Sequence, residues 1–110
     1  MGRGPGAFAA FETPPMSGIT YLDTYFLLPD AAGDESLHFH ELIHVVQWQA
    51  LGPKDFLLAY AAGLVEQGYL ESPLERIAFY HQRRFDSAEL PYPVESEVRR
   101  QTLALLARQA

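Results

Sequence analysis

A chain of 110 residues with fourteen acidic and eight basic side chains, a formal charge of -6 and no cysteine bounds one domain with a modest core, folding alone or as a small homo-oligomer. A single lysine and scattered arginines give no stripe of positive charge, which argues against nucleic acid as a partner, and no apolar run approaches the roughly 20 residues that span a bilayer. Without cysteine there is no disulfide frame, thiol nucleophile or thiolate metal site, so any metal must rest on His, Asp or Glu.

Residues 1–16 are rich in Gly and Pro and read as a loosely held arm of a single domain spanning 1–110. The apolar patch there is too short and too Gly-rich for a signal-peptide core, which places the protein in the cytoplasm. Ile19 to Leu28 is β-branched and aromatic, follows Ser17-Gly18 and stops at Pro29-Asp30, predicting one long strand or a tight hairpin about Asp23-Thr24. After the polar loop 31–36, a helix runs to about Leu51 and is stopped by Gly52-Pro53. Pro53 opens a second helix with Phe56, Leu57, Tyr60 and Leu64 on its apolar face and Gly68 at its end. Ser72-Pro73-Leu74-Glu75 opens a third, reaching about Phe85. Leu90 to Pro93 is a break, and a fourth helix from Val94 to about Arg108 carries Glu95 and Glu97 early and Arg108 late, as the helix dipole prefers. The fold class is α+β, short N-terminal strands followed by about four helices.

The chemistry concentrates in His40-Glu41-Leu42-Ile43-His44. On a helix this H-E-x-x-H spacing stacks two imidazoles one turn apart, where both reach a single zinc ion with Glu41 beside them. At 100° per residue His44 and Leu51 fall within about 40° of His40, and Leu42, Ile43, Val46 and Ala50 fall roughly opposite. The apolar stripe is therefore expected to face the core on the side away from the histidines. Zinc held by neutral imidazoles and a carboxylate keeps one position open and acidifies a bound water. An adjacent carboxylate that is not a ligand can move that water's proton, the role open to Glu41.

A third ligand has to come from elsewhere: Glu66, Glu71, Glu75, His81 or Asp86. His38 points about 200° from His40 and reads as a cap or loop histidine. His81, among Gln82, Arg83 and Arg84, reads as surface-exposed or as supporting the ligands. Glu75 has two uses that both need a carboxylate in the first helical turn, metal ligand or partner of Ser72 in a capping box, and the residues alone do not separate them.

The segments His40-Glu-Leu-Ile-His44-Val-Val-Gln-Trp48, Leu51-Gly-Pro-Lys-Asp-Phe56 and Gly68-Tyr69-Leu-Glu-Ser-Pro73-Leu-Glu75-Arg-Ile-Ala78 resemble the compact zincin metallopeptidases of the gluzincin type, over about Ile19 to Phe85. The resemblance implies a minimal zincin-like fold, zinc on His40, His44 and Glu75, Glu41 as general base, and an extended peptide or protein substrate added to an edge strand supplied by Ile19 to Leu28. It also implies a Tyr or His that stabilises the developing oxyanion, with Tyr69, Tyr80 and His81 nearby. Two departures stand out. Gluzincins commonly carry an Asp four residues after the glutamate ligand, and Phe79 occupies that position, leaving the group that orients a zinc-bound histidine unassigned. One helix follows Pro93 where full-length gluzincins carry a large subdomain. The expected function is zinc-dependent hydrolysis of peptide or amide bonds. The alternatives are a zinc-stabilised binding module of the same fold with little or no catalysis, and a helical domain without metal.

Overall fold

The aromatic, β-branched stretch folds back on itself. In the computed structural model, which describes residues 17–109, β1 (Gly18–Tyr21) pairs antiparallel with β2 (Thr24–Leu27), Tyr21 opposite Thr24. The Gly-rich arm read at 1–16 lies outside the described residues. The turn is Leu22-Asp23, one residue earlier than the sequence suggests. Leu22 takes a left-handed φ of 58°, which costs an L residue about 1–2 kcal/mol. Its side chain packs on a cluster of Trp48, Leu51, Phe56 and Leu74, and that burial offsets the strain.

A 3-10 turn at Pro29–Ala31 leads to four helices: α1 (Glu35–Leu51), α2 (Pro53–Gln67), α3 (Pro73–Asp86) and α4 (Val94–Gln109). The α+β class therefore holds, a hairpin followed by four helices. Asp34 caps α1 by accepting the Leu37 N–H. Gly52 and Gly68, with φ of 83° and 80°, end α1 and α2. Only glycine adopts that backbone freely, so these two residues set the corners of the bundle.

Helix α1 is the centre of the molecule, packed against both strands and all three other helices. Ile43 meets Ala78 and Val98 on one side; Trp48 and Leu51 meet Phe56 and Leu74 on another. The expectation of a single apolar face opposite the histidines is thereby corrected. His40, Glu41, His44 and Gln47 are buried, whereas Leu42 is 48% exposed, because a central helix is covered on several faces and the neighbours happen to leave Leu42 open. Leu57, expected on the buried face of α2, is 53% exposed at the edge of the cleft described below. Among the described residues no helix is long and apolar enough to cross a membrane.

Helices α2 and α3 touch at Gly63. A Cβ there would lie 2.9 Å from Ser72 Cβ and 3.1 Å from Pro73 Cδ. Alanine would gain up to about 1 kcal/mol of helix propensity, yet it would push on the residues that start α3 and aim Glu75. Gly63→Ala is therefore expected to destabilise by about 1–2 kcal/mol, seen as a lower urea midpoint at unchanged slope. A midpoint at or above that of the native protein would show that this junction yields.

A candidate metal centre at the floor of an apolar cleft

Two turns of α1 and the first turn of α3 bring His40, His44 and Glu75 together. One ligand atom from each lies within 4.8 Å of the others, and all three residues are buried. Ser72 makes no cap to its own helix; its hydroxyl donates to Tyr69 O. The capping box is not formed, and Glu75 turns inward instead, with Oε1 2.9 Å from His40 Nε2 and Oε2 3.1 Å from His44 Nε2.

The far side of each ring fixes which nitrogen faces the carboxylate. Gln47 Nε2 donates to Leu74 O, so its Oε1 accepts at 2.7 Å from His44 Nδ1. Gln82 Nε2 reaches Ser36 Oγ, and its Oε1 lies 2.8 Å from His40 Nδ1. Each Nδ1 therefore carries a hydrogen, and each Nε2, facing Glu75, is the nitrogen whose lone pair takes up a proton or a metal. His44 Nε2 is buried with no hydrogen-bonding partner among the described residues. Two imidazole lone pairs and a carboxylate pointing at one another among buried residues form an arrangement that calls for a cation. In the metal-free protein the cation is a proton. Burial pulls the His44 imidazole down, the facing Glu75 carboxylate more than offsets it, and the group is pushed up to about 9. Burial raises Glu75 in turn, but the His44 charge and the close approach of both imidazoles hold its carboxyl well below the usual range.

Glu41 lies beside the cluster and outside it. Its Oε1 accepts from Thr20 Oγ1 of β1 at 2.6 Å, so the hairpin holds this carboxylate. Glu41, His44 and Glu75 border a cleft of about 360 Å³, walled by β1 residues, Trp48, Phe56, Tyr60, Leu64 and Tyr69. Trp48 stacks on Phe56 at 4.0 Å and Phe56 on Tyr60 at 5.6 Å, an aromatic row leading to the ligands. The Tyr60 hydroxyl donates to Glu75 Oε2. Burial and the Glu75 charge push this phenol far up, and Tyr69 is pushed up by the same causes.

The other sequence candidates fall elsewhere. Glu66, Glu71 and Asp86 are exposed. His38 is neither cap nor loop residue: within α1 it lies 2.8 Å from the Tyr25 hydroxyl and 2.7 Å from Ala32 O, tying hairpin to helix. His81, read as surface-exposed or as supporting the ligands, is neither: it is fully buried and bonded to the Tyr92 hydroxyl and Gln101 Oε1, with burial lowering its basicity. It joins α3 to α4 and is no part of the cleft. Tyr80 is 41% exposed and borders a different groove with Arg76, Arg83 and Arg100. Of the three oxyanion candidates, Tyr69 alone lines the cleft. Phe79 packs its ring 4.5 Å from His40, and the groups that hydrogen-bond the far nitrogens of His40 and His44 are Gln82 and Gln47. Gln47 is legible on the helical wheel, three residues after His44; Gln82 depends on tertiary packing.

Comparison of the chain with protein-family models, with curated proteins and with solved structures finds no match.

Proposed function

We propose that this chain is a zinc-dependent hydrolase of peptide or amide bonds, related in its site to the gluzincin type of zincin, with His40, His44 and Glu75 as metal ligands. The reading is carried by one observation: two buried Nε2 lone pairs and a carboxylate converge at the floor of a cleft that also holds a carboxylate outside the ligand set, Glu41. When bound, zinc with three protein ligands supplies an open position, acidifies a water there and polarises a carbonyl. Gln82 and Gln47 hold the two imidazoles in the tautomer that ligates. Glu41 accepts the proton of the attacking water on its carboxylate and passes it to the leaving amine. The aromatic row of Trp48, Phe56 and Tyr60 excludes water and packs on an apolar side chain of the substrate, while β1, within the predicted edge region, runs along the cleft beside it.

The first test is metal analysis of the purified protein together with hydrolysis of a mixed library of internally quenched peptides. About one zinc per chain is expected, lost in His40→Ala and in His44→Ala. Protein that folds normally and takes up no zinc under any condition would overturn the metal centre and favour a helical domain without metal.

A further inference from the structure

The cleft treats the two oxygens of Glu75 differently. Oε1 lies 2.9 Å from His40 Nε2, whereas Oε2 faces His44 Nε2 and also accepts the Tyr60 hydroxyl. His40 is held by Gln82 of α3 and His44 by Gln47 of α1. Tyr60, from α2, is thus the only group outside the two ligand-bearing helices that hydrogen-bonds a ligand side chain among the described residues. Its ring rests against two neighbours. It lies parallel to Phe56 at 17° and edge-on to His44 with centroids 6.3 Å apart, and these two contacts aim the hydroxyl at Glu75.

We propose that Tyr60 is a positioning residue that presents Glu75 to the metal through a single oxygen. The proposal rests on the zinc reading above and adds what sets the coordination number. A carboxylate that nothing restrains can turn and chelate through both oxygens, which fills a position needed by water or a substrate carbonyl. A hydrogen bond from a fixed phenol to a buried carboxylate is charge-assisted and directional. It engages Oε2, resists rotation of the carboxylate and leaves Oε1 for the metal. The same aromatic row forms the cleft wall, so an occupant of the cleft packs against the ring that holds the ligand.

Tyr60→Phe deletes only the hydroxyl and keeps the aromatic row. Zinc affinity, measured by competition with a chromophoric chelator, is expected to fall about 10- to 100-fold, with circular dichroism unchanged. Substituted with cobalt(II), the native protein is expected to show the intense visible absorption of four-coordinate cobalt, and Tyr60→Phe the weaker absorption of five-coordinate cobalt as Glu75 becomes bidentate. A change of fold stability alone would not move that spectrum. Tyr69→Phe, a matched loss of a cleft phenol that bonds no ligand, is expected to change neither readout. Native affinity and an unchanged cobalt spectrum in Tyr60→Phe would overturn the proposal and leave the zinc site standing. A five-coordinate spectrum in the native protein would overturn it without any variant. Failure of the native protein to bind zinc or cobalt would overturn both readings together.

Discussion

Glu41→Gln is expected to keep zinc and to lower turnover of a peptide substrate about 10²- to 10⁴-fold. Glu41 is held from outside the ligand set, by the Thr20 hydroxyl at 2.6 Å, and it is absent from the group of ligand atoms formed by His40, His44 and Glu75. Glutamine has the same shape and can still accept from Thr20, so packing around this buried position persists. What it loses is the ability to take up and release a proton. The loss should appear in kcat with KM little changed, since the aromatic wall proposed to bind substrate is untouched. The measurement is kcat and KM on an internally quenched peptide with bulky apolar residues, with zinc per chain determined on the same samples. Full turnover in Glu41→Gln would remove Glu41 from the chemistry. A zinc-loaded native protein that cleaves nothing would favour the zinc-stabilised binding module, for which the same substitution is silent.

What the sequence discloses about this site follows from how local each feature is. The H-E-x-x-H pair and the four helix boundaries are written in spacing, proline and glycine, and the corner glycines 52 and 68 take the left-handed backbone their positions imply. Glu75 is ambiguous in sequence because a first-turn carboxylate serves a cap as well as a metal; only the inward turn of α3, packed close at Gly63, separates the uses. The neighbours of His81, namely Gln82, Arg83 and Arg84, suggest solvent, yet the residue is buried. The spacing of Leu74, Ala78 and His81, all buried, carries the helical period that points His81 inward. Leu42 departs in the opposite direction, because a one-faced wheel does not describe a helix that is covered on several sides. Tyr60 reads as one more apolar-face residue of α2, and its hydroxyl acquires a role only when α3 brings Glu75 within reach.

Zinc is expected to stabilise this chain more strongly as pH rises from 6.5 towards 9, because proton and metal compete for the same nitrogen. In the metal-free protein the His44 imidazole is raised from 6.5 to about 9 by the Glu75 carboxylate against the opposing effect of burial. Its contribution to stability is therefore complete below 6.5 and lost as pH climbs through about 9, on the order of 3 kcal/mol. Glu75 is lowered from 4.5, so its contribution holds above that pH and fades as pH falls further. The two windows overlap between 4.5 and 6.5, where the metal-free protein should be most stable, with a decline on the alkaline side. Zinc replaces the proton at Nε2 and needs the neutral ring, so the loaded protein should not share that decline. At free zinc about a thousandfold above its dissociation constant, the metal adds about 4 kcal/mol, or about 15–30 °C in Tm for a domain of this size. Thermal melts with chelator and with zinc, taken across this pH range, should give two curves that diverge above 6.5. His44→Ala should abolish both the alkaline decline and the zinc increment. If the metal-free protein instead gained stability between 6.5 and 9, no proton would be shared between His44 and Glu75, and the convergence of lone pairs from which the metal centre is argued would not exist in solution.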